Sequence, residues 1–298
     1  MELGANRFVA GTTLKEALVV ARALNRQRIG VTLDHLGEEA ASAADQQTAT
    51  SDYLEALNAL FTQQLDGGVS IKLSMVGEGA WAIVESAAKN GQLVWLDMEN
   101  SATTETTLRT CRTLAIAYPG AVGAVLQAYL YRSAEDLEAL LTLEQPSVRI
   151  VKGAYLEPVS VAWQDKADVD RNYLALVKRA IEGGAFTAVA THDQRVINTV
   201  LELLHRPNVA PARVEFQMLY GLELGVLEHN ARAFPFSGDS QEGVKPAAAS
   251  WPPCGVFLSS LGPGHSASPY PRMPLRHSRR SRPGAKSTVS NKTSYIVI

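Results

Sequence analysis

Polar residues able to do chemistry recur at one kind of place in this sequence, the end of a short apolar run. Asp34 closes "VTLD", Lys72 sits in "SIKLS", Asp97 in "WLDME", Gln127 in "VLQAY", Lys152 in "VRIVKGAY", His192 and Asp193 in "ATHD", and Gln217 in "EFQML". A charged group with apolar neighbours on both sides is costly unless paired. Lys72 and Asp97 could pair with each other. Such a pair would fix a substrate carboxylate or position a catalytic group; a snorkelling lysine and a purely structural ion pair are the plainer alternatives. One His beside one Asp at 192–193 is thin support for a metal site, which would need more histidines at strand ends, so no metal is expected.

The stretch "VRIVKGAY" (148–155) is the richest. A β-rich run ends on Lys152, Gly153, Ala154 and Tyr155. Gly153 would let another atom approach the backbone, and Arg149 and Lys152 add positive charge there. That combination suits an anionic or electron-accepting group over the strand end. Taken alone, a strand-to-helix turn that happens to need a glycine is the better explanation.

The runs that carry these residues must be positioned by something. They read as strands at 29–37, 69–77, 92–100, 121–131, 148–155, 186–193 and 214–221, with helical patterns between them. "TTETTLRTCRTLAIAYPG" opens on threonine caps and stops at Pro-Gly; "SAEDLEALLTLEQP" sets Ser133 three residues before Asp136, a relative of the capping box; "VDRNYLALVKRAIEGG" ends on two glycines. Seven strand–helix units with nearly continuous apolar strands imply a parallel sheet buried on both faces. No Gly-x-Gly-x-x-Gly turn follows the first strand, which argues against a dinucleotide-binding open sheet. Polar residues at nearly every strand end favour a (β/α)8 TIM-type barrel, in which those ends converge on one mouth. Closure needs eight strands, and no clear eighth unit is visible, so the barrel is expected to be incomplete.

The chain has 298 residues, a net charge of -2 and two cysteines far apart, Cys111 and Cys254. The overall charge makes no case for nucleic acid, and the cysteines fit a reducing compartment. No apolar run approaches the roughly 20 residues of a membrane helix. Glu242 is the last acid. Beyond it only basic charges occur, among Gly, Pro and Ser-rich segments such as "RHSRRSRPGAKS". This divides the chain into a barrel core at 1–236 and an irregular, basic, disordered tail at 237–298. An altered reading frame or aberrant terminus would explain the change of composition.

Taken together, "RFVAGTTLKEAL", "TLDHLGE", "SIKLS", "LDMENS", "VLQAYLYR", "VRIVKGAYLEP", "DKADVDRNYLAL", "ATHDQRVI" and "EFQMLYG" resemble the proline dehydrogenases, in that family's order and over residues 7–221. The resemblance implies a flavoprotein with FAD as cofactor that oxidises L-proline to 1-pyrroline-5-carboxylate and passes electrons to a quinone. It implies a cytoplasmic location with peripheral association at the inner membrane. By the same resemblance Asp97 and Arg149 are catalytic, with Arg149 near flavin N5. Lys72, Tyr155 and Leu219 contact proline. Met98, Gln127, Val151, Lys152, Gly153, Ala154, Thr191, His192 and Gln217 hold the flavin. The family's eighth-strand tyrosine and its Tyr-x-x-Arg-Arg-x-x-Glu pattern are not found, and Glu38 matches a residue that pairs with one of the missing arginines. Two other readings stay open: an inactive or truncated barrel with a basic tail, and a barrel enzyme using Lys72 or Lys152 as a Schiff-base nucleophile.

Overall fold

A computed structural model of the chain describes residues 9–35, 40–206, 210 and 213–221, with the backbone of 255–256 and 295–297. Helix α1 (Leu14–Asn25) precedes the sheet. Strands and helices then alternate: β1 (Gly30–His35), α2 (Ala43–Thr62), β2 (Gly67–Ile71), α3 (Leu73–Val76), α4 (Ala80–Asn90), β3 (Val94–Leu96), α5 (Thr104–Ala117) and β4 (Val122–Gln127). They continue through α6 (Ser133–Leu141), β5 (Ser147–Val151), α7 (Lys166–Glu182), β6 (Phe186–Ala190), α8 (Gln194–Leu204) and β7 (Val214–Gln217).

The strands pair in sequence order, each parallel to the next, from β1 to β7. This is the curled sheet of a (β/α) barrel that stops short of closure. Strands such as β2, β4 and β7 are buried at every position, because helices cover one face and the barrel interior the other. The sequence expectation of seven strands is met, and the helix expected after β7 falls outside the described residues. Where the missing strand would lie beside β1, two short segments pair instead: β8 (Gly255–Val256) parallel to Gly30–Val31, and β9 (Tyr295–Val297) antiparallel to Leu33–His35. The outer edge of β1 is therefore not bare, as an open barrel alone would leave it. The rest of the tail, with Cys254, and Glu38 also lie outside the described residues.

Local chemistry sets the helix starts. Asp165 caps α7 through the Ala167 N–H, and Asp193 caps α8 through the Arg195 N–H. Two expected caps fail. Thr103 precedes α5 in helical geometry with no side-chain cap bond. Ser133 is the first residue of α6 rather than its cap; its hydroxyl donates to the Gln127 carbonyl at 2.5 Å, while Asp136 pairs with Arg132. Burial of Ser133 beneath the β4 end gives the hydroxyl a closer acceptor than the helix terminus.

Inside the barrel Trp95 forms a floor. It lies almost wholly buried, stacked on Phe186, and a Cβ on Gly123 would come within 2.4 Å of its ring. Only a residue without a side chain fits at 123 on the neighbouring strand, so the glycine makes space for the indole.

Candidate active site at the barrel mouth

Alternation along the strands decides which side chains meet inside. Ser70 and Lys72, Trp95 and Asp97, and Glu215 and Gln217 are pairs two residues apart, each pair on one face. Arg149 of β5 crosses the interior to reach the first two pairs. Its guanidinium lies 4.6 Å from the Trp95 ring centroid, and Nη1 donates to Ser70 Oγ at 2.9 Å and Asp97 Oδ1 at 3.0 Å. The arginine is fully buried. Burial pulls its pKa down to about 10 against the attraction of Asp97, which still leaves it charged at neutral pH.

Lys72, one residue past β2, is 4 % exposed and so does not snorkel. The expected Lys72–Asp97 pair does not form: Asp97 is taken by Arg149, and Lys72 Nζ lies 3.6 Å from Asp34 Oδ2 on the other side. Burial pulls the Lys72 pKa down, but Asp34 and Asp97 outweigh it and the ammonium is held above its usual range. No described hydrogen bond uses its N–H donors. Tyr155, in the loop after β5, is among the groups that favour its charged form.

The other sequence candidates divide into two groups. Gln127, at the end of β4, is buried and donates to the Glu99 carbonyl at 2.8 Å, which ties the loop after β3 to the next strand. Met98 is packed into the core of that loop. Gln217 gives its amide N–H to Glu215, and its Oε1 is a buried acceptor with no described partner. The Thr191 N–H donates to the Gln217 carbonyl at 3.2 Å. His192 accepts the Leu219 N–H on Nε2 at 3.0 Å, which fixes the neutral ring with its proton on Nδ1; burial lowers its pKa and favours that form. These residues line one mouth from β3 round to β7.

Lys152 and Gly153 both have close partners within the chain. Lys152 reaches the N-terminal ends of α7 and α8, with Nζ 2.5 Å from Asp170 Oδ1 and 3.2 Å from Asp193 Oδ2. Its charge is already balanced by two carboxylates. At Gly153, φ is +118°, and a Cβ would fall 2.4 Å from Tyr129 Cδ1. The atom that approaches this backbone is therefore a tyrosine ring of the chain itself. The Val151 carbonyl accepts the Ala128 N–H, and Ala154 is exposed.

Three participants went unnoticed in the sequence. Ser70 and Glu215 stand two residues below noted strand-end residues, so alternation alone would have found them. Tyr53 of α2, which hydrogen bonds Asp34, carries no such signal. Among the described residues no group of His, Cys, Asp and Glu is placed to hold a metal ion.

A parallel barrel with paired charges and unused polar atoms gathered at the C-terminal strand ends has the form of a barrel enzyme site. The proline dehydrogenase family profile matches residues 17–233, and the chain belongs to that family. It is 41% identical over 231 residues to a proline dehydrogenase of Deinococcus radiodurans, covering 73% of this chain and 74% of that one. It is 37% identical over 229 residues to proline dehydrogenase 1 of Bacillus subtilis strain 168, covering 74% of this chain and 75% of that one. Its fold is similar to that of proline utilization A from Bdellovibrio bacteriovorus inactivated by N-propargylglycine, with a TM-score of 0.74 at 22% identity. That match covers 86% of this chain but only 31% of the larger protein.

Proposed function

We propose that this chain oxidises L-proline to 1-pyrroline-5-carboxylate at the barrel mouth, with FAD as the cofactor. The observation that carries the reading is the buried, charged Lys72 at the end of β2, whose N–H donors have no described hydrogen-bond partner. Such a group at the strand ends calls for an anion, and the proline carboxylate supplies one. Family membership supplies the rest of the substrate.

The residues present suit a flavin. Gln217 Oε1 is a buried acceptor awaiting a donor, and an imide N–H of the flavin ring is a donor of that kind. Met98, Gln127, Val151, Lys152, Gly153, Ala154, Thr191, His192 and Gln217 would hold it. Bound FAD supplies the acceptor for the two electrons that leave proline. The protein's part is placement. Lys72 anchors the carboxylate, while Tyr155 and Leu219 wall the ring carbon next to nitrogen. Asp97 and Arg149 form the buried charged base below. The Schiff-base alternative is disfavoured: Lys72 is held as the ammonium, the wrong state for an amine nucleophile.

We extend the reading to a quinone as electron acceptor and to peripheral contact with a membrane. Tyr131, Leu156 and Val159 are exposed apolar side chains in the loops after β4 and β5, with Leu156 94% and Val159 70% exposed. Among the described residues no helix is long and apolar enough to cross a membrane. The test is proline-dependent reduction of a redox dye by the purified chain supplied with FAD. Activity that depends on Lys72 supports the reading; a folded protein with no proline-dependent turnover overturns it.

A further inference from the structure

We propose that Asp34 and Tyr53 are positioning residues for Lys72: the Tyr53 hydroxyl fixes the Asp34 carboxylate, and that carboxylate holds the Lys72 ammonium at the mouth with its donors left for the substrate carboxylate. The inference deepens the proposed function and rests on it.

Three elements build the arrangement. Asp34 lies on β1, Lys72 just past β2, and Tyr53 comes in from α2. Asp34 is 0% and Tyr53 1% exposed. The tyrosine hydroxyl accepts the His35 N–H at 3.2 Å and donates to Asp34 Oδ1 at 3.2 Å. Bound on both sides, it cannot swing, and it pins one carboxylate oxygen. The other oxygen, Oδ2, faces Lys72 Nζ at 3.6 Å. That separation is short enough for strong attraction and too long for a hydrogen bond. The lysine is thus oriented and kept charged without its N–H groups being taken, which is the state an anion-binding residue needs before substrate arrives.

The groups facing Lys72 come from several elements. Asp34, Asp97, Glu99 and Tyr155 all favour its charged form, opposing burial. His35 feels the same cation, and burial and Lys72 together push its own pKa down, so it adds no competing charge. After burial, Asp34 is the largest influence on Lys72. Neutralising Asp34 would therefore let the Lys72 pKa fall, and anion binding would be lost at lower pH than in the unaltered protein.

The experiment measures binding of tetrahydrofuran-2-carboxylate, the oxygen isostere of proline, to the full-length, FAD-supplied protein by calorimetry across neutral and alkaline pH. The isostere keeps the carboxylate and lacks the amine, so any alkaline limit belongs to the protein. In Asp34→Asn the alkaline limit should move to lower pH, and KM for proline should rise about tenfold with a smaller change in kcat. Asp34→Glu should return the limit toward its original position. Tyr53→Phe, which removes one hydroxyl and keeps the packing, should weaken isostere binding about threefold in the same direction. Asp34→Asn and Tyr53→Phe proteins that bind the isostere with unaltered affinity and an unaltered alkaline limit overturn the inference. If the unaltered protein binds the isostere and the variants bind it identically, the inference falls and the proposed function stands; an unaltered protein that binds neither proline nor the isostere overturns both.

Discussion

Arg149 and Lys152 are two cations three residues apart on one strand end, and they do different things. Arg149 turns inward, lies fully buried against Trp95 and pairs with Asp97. Lys152 turns toward the helix layer, stays 28% exposed and joins Asp170 of α7 to Asp193 at the start of α8. An odd spacing on a pleated strand sends neighbours to opposite faces. Positive charge in a sequence stretch is therefore not one resource: here one residue organises the barrel interior and the other staples its rim.

That contrast is easiest to break at Arg149. Arg149→Leu leaves Asp97 as a buried charge without its main partner, and stability in a urea titration should fall by about 3–5 kcal/mol. Combining it with Asp97→Leu should recover much of the loss, since a buried pair replaced by apolar groups is often near neutral. The double variant should remain inactive, which would separate folding from function at this pair.

Between the two cations' effects lies the turn after the strand. Gly153→Ala places a side chain at φ +118° against the Tyr129 ring. A cost of about 1–3 kcal/mol is expected from the backbone conformation. Adding Tyr129→Ala should relieve the contact but not the strained φ, so chemical denaturation of the double variant should not show full recovery.

At the rim the effect should be smaller. Lys152→Met should cost at most about 1 kcal/mol and less in high salt, because the partners are partly exposed and also lie near Lys166 and Arg195. A pH dependence sharpens this. Burial raises the Asp193 pKa, but its hydrogen bonds to Lys152 and Arg195 outweigh that and bring it down to about 2. A carboxyl depressed by folding stabilises above its unfolded pKa and loses that contribution as pH falls toward the folded one. Thermal unfolding should therefore show a loss of stability below about pH 4 that is reduced in Lys152→Met.

A second pH dependence concerns Glu215. Burial pushes its carboxyl up to about 7, against Gln217 and Arg149. A raised carboxyl contributes most below its unfolded pKa, and that contribution is lost as pH rises through about 7. Glu215→Gln should flatten the fall in melting temperature between mildly acidic and mildly alkaline pH.

Much of this was legible in the sequence. Apolar runs ending in polar residues gave the seven strands and the mouth, because a parallel barrel buries both strand faces and leaves only the ends for chemistry. Pairing was not legible. Lys72 and Asp97 sit at the ends of neighbouring strands, yet Lys72 pairs with Asp34 of the neighbour on its other side and Asp97 with Arg149 two strands away, since side-chain length and direction decide contact inside a barrel. Tyr53 could not be read at all, as nothing local links a tyrosine on α2 to an aspartate on β1. Gly153 was read as a point of close approach, and on the side where a Cβ would lie the approaching group is the Tyr129 ring. Glycine in a sequence reports a close approach without naming what approaches.

One measurement tests the central claim most directly: the visible spectrum of the purified chain, supplied with FAD and mixed with L-proline without oxygen. The protein should retain flavin and L-proline should bleach its visible band, with bleaching lost in Lys72→Met at the same proline concentration. A folded protein that retains no flavin, or whose bound flavin keeps its colour in saturating L-proline, would contradict it.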